Sequence, residues 1–126
     1  MTSVPLISIV DDDDSVRLAT GELVETLGYE VETFASGEAF LGSQLVATTR
    51  CVITDVQMRG MSGPQLHEHL LNSGMAIPVI FITAFPLDRI RDQVMKRGAV
   101  AYLSKPFNRA TLERPLQRAL GDAQAF

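Results

Sequence analysis

Five short apolar runs alternate with amphipathic stretches along this chain, and that alternation restricts its fold more than any other feature. Leu6–Val10 reads as a strand buried on both faces. Val16, Ala19, Leu23, Val24 and Leu27 then recur at i, i+3, i+7, i+8 and i+11, the stripe of a core-facing helix interrupted only by Thr20. Gly28 follows where a helix stops. Residues 31–34 form a second strand, and Ser36 caps a short helix to about Ser43. Residues 51–55 are a third strand, followed by a loop over 56–63 with two glycines. Pro64, at the first position of a helix, opens a segment running to about Asn72. Residues 77–83 are a fourth strand with Pro78 near its start. Leu87, Ile90 and Val94 stripe a helix ending at Gly98; residues 101–103 are a brief fifth strand, and 109–120 a last helix.

Strands and helices joined this way predict a parallel sheet covered on both faces. Five units are too few to close an eight-fold barrel, so the expected α/β fold is open and doubly wound. Its strand order is 2-1-3-4-5, the flavodoxin-like arrangement with five helices. Ligands in such sheets sit beyond the C-terminal strand ends, between strands one and three. Asp11 and Asp12 end strand one, Asp55 ends strand three, Thr83 ends strand four and Lys105 follows strand five. Polar groups scattered along the chain are thereby predicted to converge on one edge.

Asp11, Asp12, Asp13 and Asp14 are consecutive. Neighbouring like charges repel by about 4 kcal/mol per pair at 4 Å and an effective dielectric near 20. Helix capping accounts for part of the run, with Asp14 or Ser15 the expected N-cap, and a cap is worth about 0.5–2 kcal/mol. It does not account for Asp11, Asp12 or Asp55. Three carboxylates in one crevice call for a divalent cation, and all-oxygen ligation favours Mg²⁺, or Mn²⁺ as a substitute, over zinc. An EF-hand is excluded because its D-x-D-x-D-G spacing is missing. Lys105 brings a site of three aspartates and Mg²⁺ near neutrality, ready for a phosphoryl group of about −1.5 to −2. Thr83 adds a hydroxyl donor.

At 126 residues the chain is expected to be one domain. Eleven basic against fifteen acidic side chains give a net charge of −4, which argues against a nucleic-acid surface of its own. Cys51 is the only cysteine, so no internal disulfide can form. The start of the chain lacks a basic n-region and a membrane-length apolar run, and the expected location is cytoplasmic.

The sequence resembles the receiver domain of two-component response regulators in Val10-Asp-Asp-Asp13, Ile53-Thr-Asp-Val-Gln-Met58, Met61-Ser-Gly63, Ile82-Thr-Ala84, Gly98-Ala99 and Lys105-Pro-Phe107. The resemblance spans residues 1–126, as a single domain or the front part of a longer regulator. Ser15-Val-Arg17 and Phe40-Leu41 are closest to the nitrogen-fixation regulator type. The resemblance implies that Asp55 accepts a phosphoryl group from a sensor histidine kinase. Asp12 would bind Mg²⁺ directly, Asp11 mostly through water, and the Gln57 backbone carbonyl would be a further ligand. Thr83, Ala84 and Lys105 would contact the phosphoryl oxygens. Thr83 and Tyr102 would switch the face formed by helix four, strand five and helix five to control an output, transcription being the expected one. The resemblance also implies a cis Lys105–Pro106 peptide, and Gln57 and Phe85 would tune the lifetime of the acyl phosphate.

Two positions depart from the family pattern. Arg59 stands where a proline usually follows Met58, and this leaves the loop freer. Pro115 falls inside the last helix and is expected to bend or interrupt it after Glu113. His67 and His69, two apart on a helix, cannot share an ion and are both expected to face solvent. Arg89, Lys96 and Arg97 read as a solvated face, with a phosphorylation-stabilised homodimer as the alternative. The reading is therefore a phosphoacceptor switch and not a turnover enzyme. An aspartyl-phosphate hydrolase would need a second acid where Gln57 stands, and a flavin-binding domain would leave the carboxylates unexplained.

Overall fold

The computed structural model describes residues 4–121. Its sheet consists of β1 (Leu6–Val10), β2 (Glu30–Phe34), β3 (Thr49–Asp55), β4 (Val79–Thr83) and β5 (Ala101–Ser104). All four pairings are parallel and the order is β2-β1-β3-β4-β5, as the alternation of the sequence predicts. Helices α1 (Asp14–Thr26), α2 (Gly37–Leu41), α3 (Gly63–Asn72) and α4 (Asp88–Lys96) connect the strands, α5 (Arg109–Ala119) follows β5, and a 3₁₀ turn over Gln44–Thr48 precedes β3.

Alternation along each central strand divides the interior into two layers. Ile7, Ile9, Cys51, Ile53, Ile80 and Ile82 pack with Val24 of α1 and Leu112 and Leu116 of α5. Val10, Val52, Val79 and Phe81 face the other way, against Phe40 of α2, Leu66 and Leu70 of α3 and Val94 of α4. β4 and most of β1 and β3 are buried on both faces, Arg50 of β3 being exposed, which is why these strands read as mainly apolar runs. Two buried hydroxyls inside the sheet satisfy each other, Ser8 Oγ lying 2.7 Å from Thr49 Oγ1. Burial pushes the Cys51 thiol up to about 12, so it behaves as a small apolar side chain.

Several local expectations are corrected. The N-cap of α1 is Asp13, whose Oδ1 accepts from Val16 N at 3.0 Å, one residue earlier than the stripe suggested. The buried face of α1 carries Thr20, Gly21 and Val24. Gly21 faces β2, where a Cβ would already touch Val31 and Thr33, so the helix rotates its smallest residue toward the sheet. β4 begins at Val79, after Pro78, and Leu87 is the N-cap of α4 rather than part of its stripe. α5 is not interrupted: it runs through Pro115, which is buried beside Leu112 and Leu116. An interior proline costs about 3 kcal/mol, and this apolar seam together with the Asn108 capping box holds the helix across it.

His67 is not on the surface. It is 3% exposed, edge-on to Phe81 with ring centroids 5.7 Å apart, and its Nδ1 has no hydrogen-bond partner. Burial, and then the nearby Arg97, hold its pKa below the ordinary 6.5. Below about pH 6.5 the unfolded chain takes up a proton that the native imidazole refuses, so stability falls on acidification until the native pKa is reached. Urea unfolding across pH 5–8 is expected to show this loss, and His67→Leu to flatten it. An unchanged slope in the variant would place the titrating group elsewhere. His69 is exposed, as expected.

Candidate functional site

The register of the sheet brings the strand ends level. Val10 pairs with Thr54, Asp55 with Ile82, and Thr83 with Ser104. The residues next in sequence therefore leave the sheet at one edge, where β1 and β3 part company with α1 and the β3–α3 loop. One carboxylate oxygen each from Asp11, Asp12 and Asp55 lies within 4.8 Å of the others. Lys105 Nζ sits 3.3 Å from Asp11 Oδ2 and 3.3 Å from Asp55 Oδ2.

Each member is fixed by its neighbours. Asp11 is fully buried: Asp13 N donates to its Oδ1 at 3.0 Å, and Arg17 Nη1 donates to its backbone carbonyl at 2.9 Å. Asp55 is 9% exposed. Burial raises its pKa above the ordinary 3.8, and Asp11 raises it further; Lys105 and the Gln57 backbone N–H pull it down without cancelling the rise. The pocket is thus short of positive charge. Its donor set is three carboxylates, oxygen only, close enough to share one ion, and this fits Mg²⁺.

The remaining predicted residues of this edge lie on and just after β4 and β5. Thr83 is 1% exposed, and its Oγ1 accepts from Phe85 N at 3.1 Å. Its carbonyl accepts from Lys105 N at 2.8 Å. Ala84 is exposed at the mouth of an apolar groove that also takes in Val16, Lys105 and Pro106. The Lys105–Pro106 peptide is cis. Tyr102 is half-buried, its hydroxyl accepting from Leu87 N at 3.1 Å. Thr83 and Tyr102 therefore both hold the segment between β4 and α4. Phe85 is 70% exposed.

Three features lay beyond the sequence reading. Asp12 Oδ2 accepts from Arg59 N at 2.9 Å and lies 3.4 Å from Arg59 Nε, so residue 59 donates to the pocket from the loop. Glu38 Oε2 accepts from Met61 N at 3.2 Å, so α2 also ties this loop. The loop freed by the missing proline is thus pinned by two carboxylates. Gly63 passes directly over β3, where a Cβ would stand 2.2 Å from the Asp55 carbonyl oxygen. The non-proline at 59 and the glycine of Met61-Ser-Gly63 were visible as signals, but their partners were not.

An open wound sheet with an acidic pocket and a lysine at its switch point defines the class: an α/β domain that gathers charge at one sheet edge. The chain belongs to the response regulator receiver domain family, which residues 7–117 match. It is 35% identical over 112 residues to the transcriptional regulatory protein TdiR of Thauera aromatica, covering 89% of this chain and 49% of that protein. It is 34% identical over 115 residues to the transcriptional regulatory protein FixJ of Azorhizobium caulinodans, covering 91% and 54%. The chain spans about half the length of the curated relatives it matches. Among solved structures, FixJ-N superposes with a TM-score of 0.84 at 30% identity, covering 94% of this chain and 95% of that one. The response regulator StyR gives 0.86 at 35% identity, covering 98% and 63%. Among the described residues no helix is long and apolar enough to cross a membrane.

Proposed function

We propose that this receiver domain is a Mg²⁺-dependent phosphoacceptor that takes a phosphoryl group onto Asp55 from the phosphohistidine of a sensor histidine kinase. The observation that carries the reading is a buried carboxylate ion-paired to Lys105 and lying within 4.8 Å of Asp11 and Asp12. Asp12 and Asp55, with the Gln57 backbone carbonyl, would hold the ion directly, and Asp11 through water. When bound, the ion supplies charge neutralisation for the oxygens of the transferring group.

This chain's own residues do the rest by position. An Asp55 oxygen forms the new O–P bond as the P–N bond to the kinase imidazole breaks, giving an acyl phosphate. Lys105, already between Asp11 and Asp55, pairs with a phosphoryl oxygen as the Asp55 charge moves outward. Thr83 donates a hydrogen bond from its hydroxyl to another oxygen, and the Ala84 backbone N–H lies next in line. The bond its Oγ1 accepts from Phe85 N leaves the O–H itself available to donate. Tyr102 holds Leu87 N in the same segment, so the two residues bias one equilibrium of the β4–α4 segment and the face beside it. Relatives named as transcriptional regulators support transcription as the output, acting through further chain or a separate partner. The domain modifies only itself, so it is a switch and not a turnover enzyme, and it works where its kinase presents the phosphohistidine, the cytoplasm. A phosphorylation-stabilised homodimer through the α4–β5–α5 face belongs to the same reading.

The test uses the purified domain, Mg²⁺ and acetyl phosphate. One acid-stable, base-labile phosphoryl group per chain is expected, and none after chelation with EDTA. Continuous release of phosphate at many turnovers per chain, or labelling that survives EDTA, would replace this reading with a hydrolase or a non-specific acylation.

A further inference from the structure

Asp12 is the most exposed of the three clustered carboxylates, its side chain 23% exposed, and it already has a cation. Arg59 places Nε 3.4 Å from Asp12 Oδ2, and the Arg59 backbone N–H donates to the same oxygen at 2.9 Å. The two contacts differ in kind. The backbone bond exists because residue 59 is not proline, and it orients the carboxylate. The guanidinium is 90% exposed and free to swing into solvent, yet it lies against a carboxylate that a metal also needs.

We infer that Arg59 is a resident competitor for the metal pocket, a tethered cation that sets how tightly a divalent ion binds at Asp12. This rests on the metal-pocket reading above and adds a residue outside its ligand set. Three carboxylates with Lys105 and Arg59 total −1; without the guanidinium the pocket is at −2. An arriving divalent cation repels the guanidinium and displaces it from Asp12. An exposed ion pair is cheap to break, so Arg59 weakens binding without blocking it. The competition is between surface charges and therefore fades with salt.

Calorimetric titration of Mg²⁺ into the metal-free protein reads this directly, without any phosphorylation. Arg59→Ala keeps the backbone donor and removes the charge, and is expected to bind Mg²⁺ about two- to five-fold tighter at low ionic strength. Arg59→Lys keeps a charge there and is expected to stay near wild type. At about 0.5 M salt the Ala variant and wild type are expected to converge. Equal or weaker binding by Arg59→Ala, with wild type binding normally, overturns the competition and leaves the metal pocket standing. Wild type that binds no Mg²⁺ overturns the pocket itself and the competition with it. Thermal melts of the metal-free variants confirm that the fold is intact, as an exposed side chain predicts.

Discussion

Asp55→Asn is expected to abolish phosphorylation by acetyl phosphate or a kinase and, at the same time, to stabilise the metal-free protein. Loss of labelling follows because the amide cannot attack phosphorus as the carboxylate does. The gain in stability follows from the same geometry. Burial and Asp11 hold the native Asp55 carboxyl above its ordinary 3.8, despite Lys105 at 3.3 Å, so its ionised form is a net cost of folding. Asparagine keeps the shape and removes the charge. A gain is expected near pH 7, read as a rise in melting temperature of the metal-free variant over wild type. As pH falls through the raised native pKa toward 3.8, the wild type takes up its own proton and the difference closes. Saturating Mg²⁺ is expected to reverse the ranking, because the variant loses a ligand. A metal-free variant no more stable than wild type at pH 7 would show that Lys105 fully offsets the crowding.

Gly63→Ala tests the packing under the same strand. Within a helix this substitution ordinarily stabilises by about 1 kcal/mol. Here the added Cβ would stand 2.2 Å from the Asp55 carbonyl oxygen and 3.2 Å from the Phe81 ring. Backbone cannot swing aside as a long side chain can. α3 is held down by Leu66, His67 and Leu70, and Gly63 N donates to Val56 O at 2.9 Å. The helix must lift or the end of β3 must shift, and the expected cost is about 3 kcal/mol, the upper part of the overpacking range. Because the displaced carbonyl belongs to Asp55, acyl phosphate formation should slow as well. Denaturant melts showing the variant within about 0.5 kcal/mol of wild type would mean that this approach relaxes freely.

Much of this architecture was open to reading in one dimension because its strands are buried on both faces. Mainly apolar runs at 6–10, 51–55 and 77–83, each ending on a polar residue or followed at once by one, mark strand, direction and exit together. That is why Asp11, Asp55 and Thr83 could be placed at one edge before any coordinates. The errors cluster where a residue's environment comes from elsewhere in the chain. His67 reads as a surface residue by polarity, yet it is buried edge-on to Phe81. Pro115 reads as a break, yet the apolar seam it shares with Leu112 and Leu116 holds the helix through it.

The sequence alone determined the alternation of elements, the wound parallel class and the identity of the charged groups at the strand ends, because periodicity and chain direction are local properties. Only the tertiary structure decided the distances: Lys105 between Asp11 and Asp55, Gly63 across the β3 carbonyl, Arg59 on Asp12. Those contacts join residues 47 or more apart (Asp55 and Gly63 excepted, where a loop folds back), and their energies depend on burial and separation that no local pattern encodes.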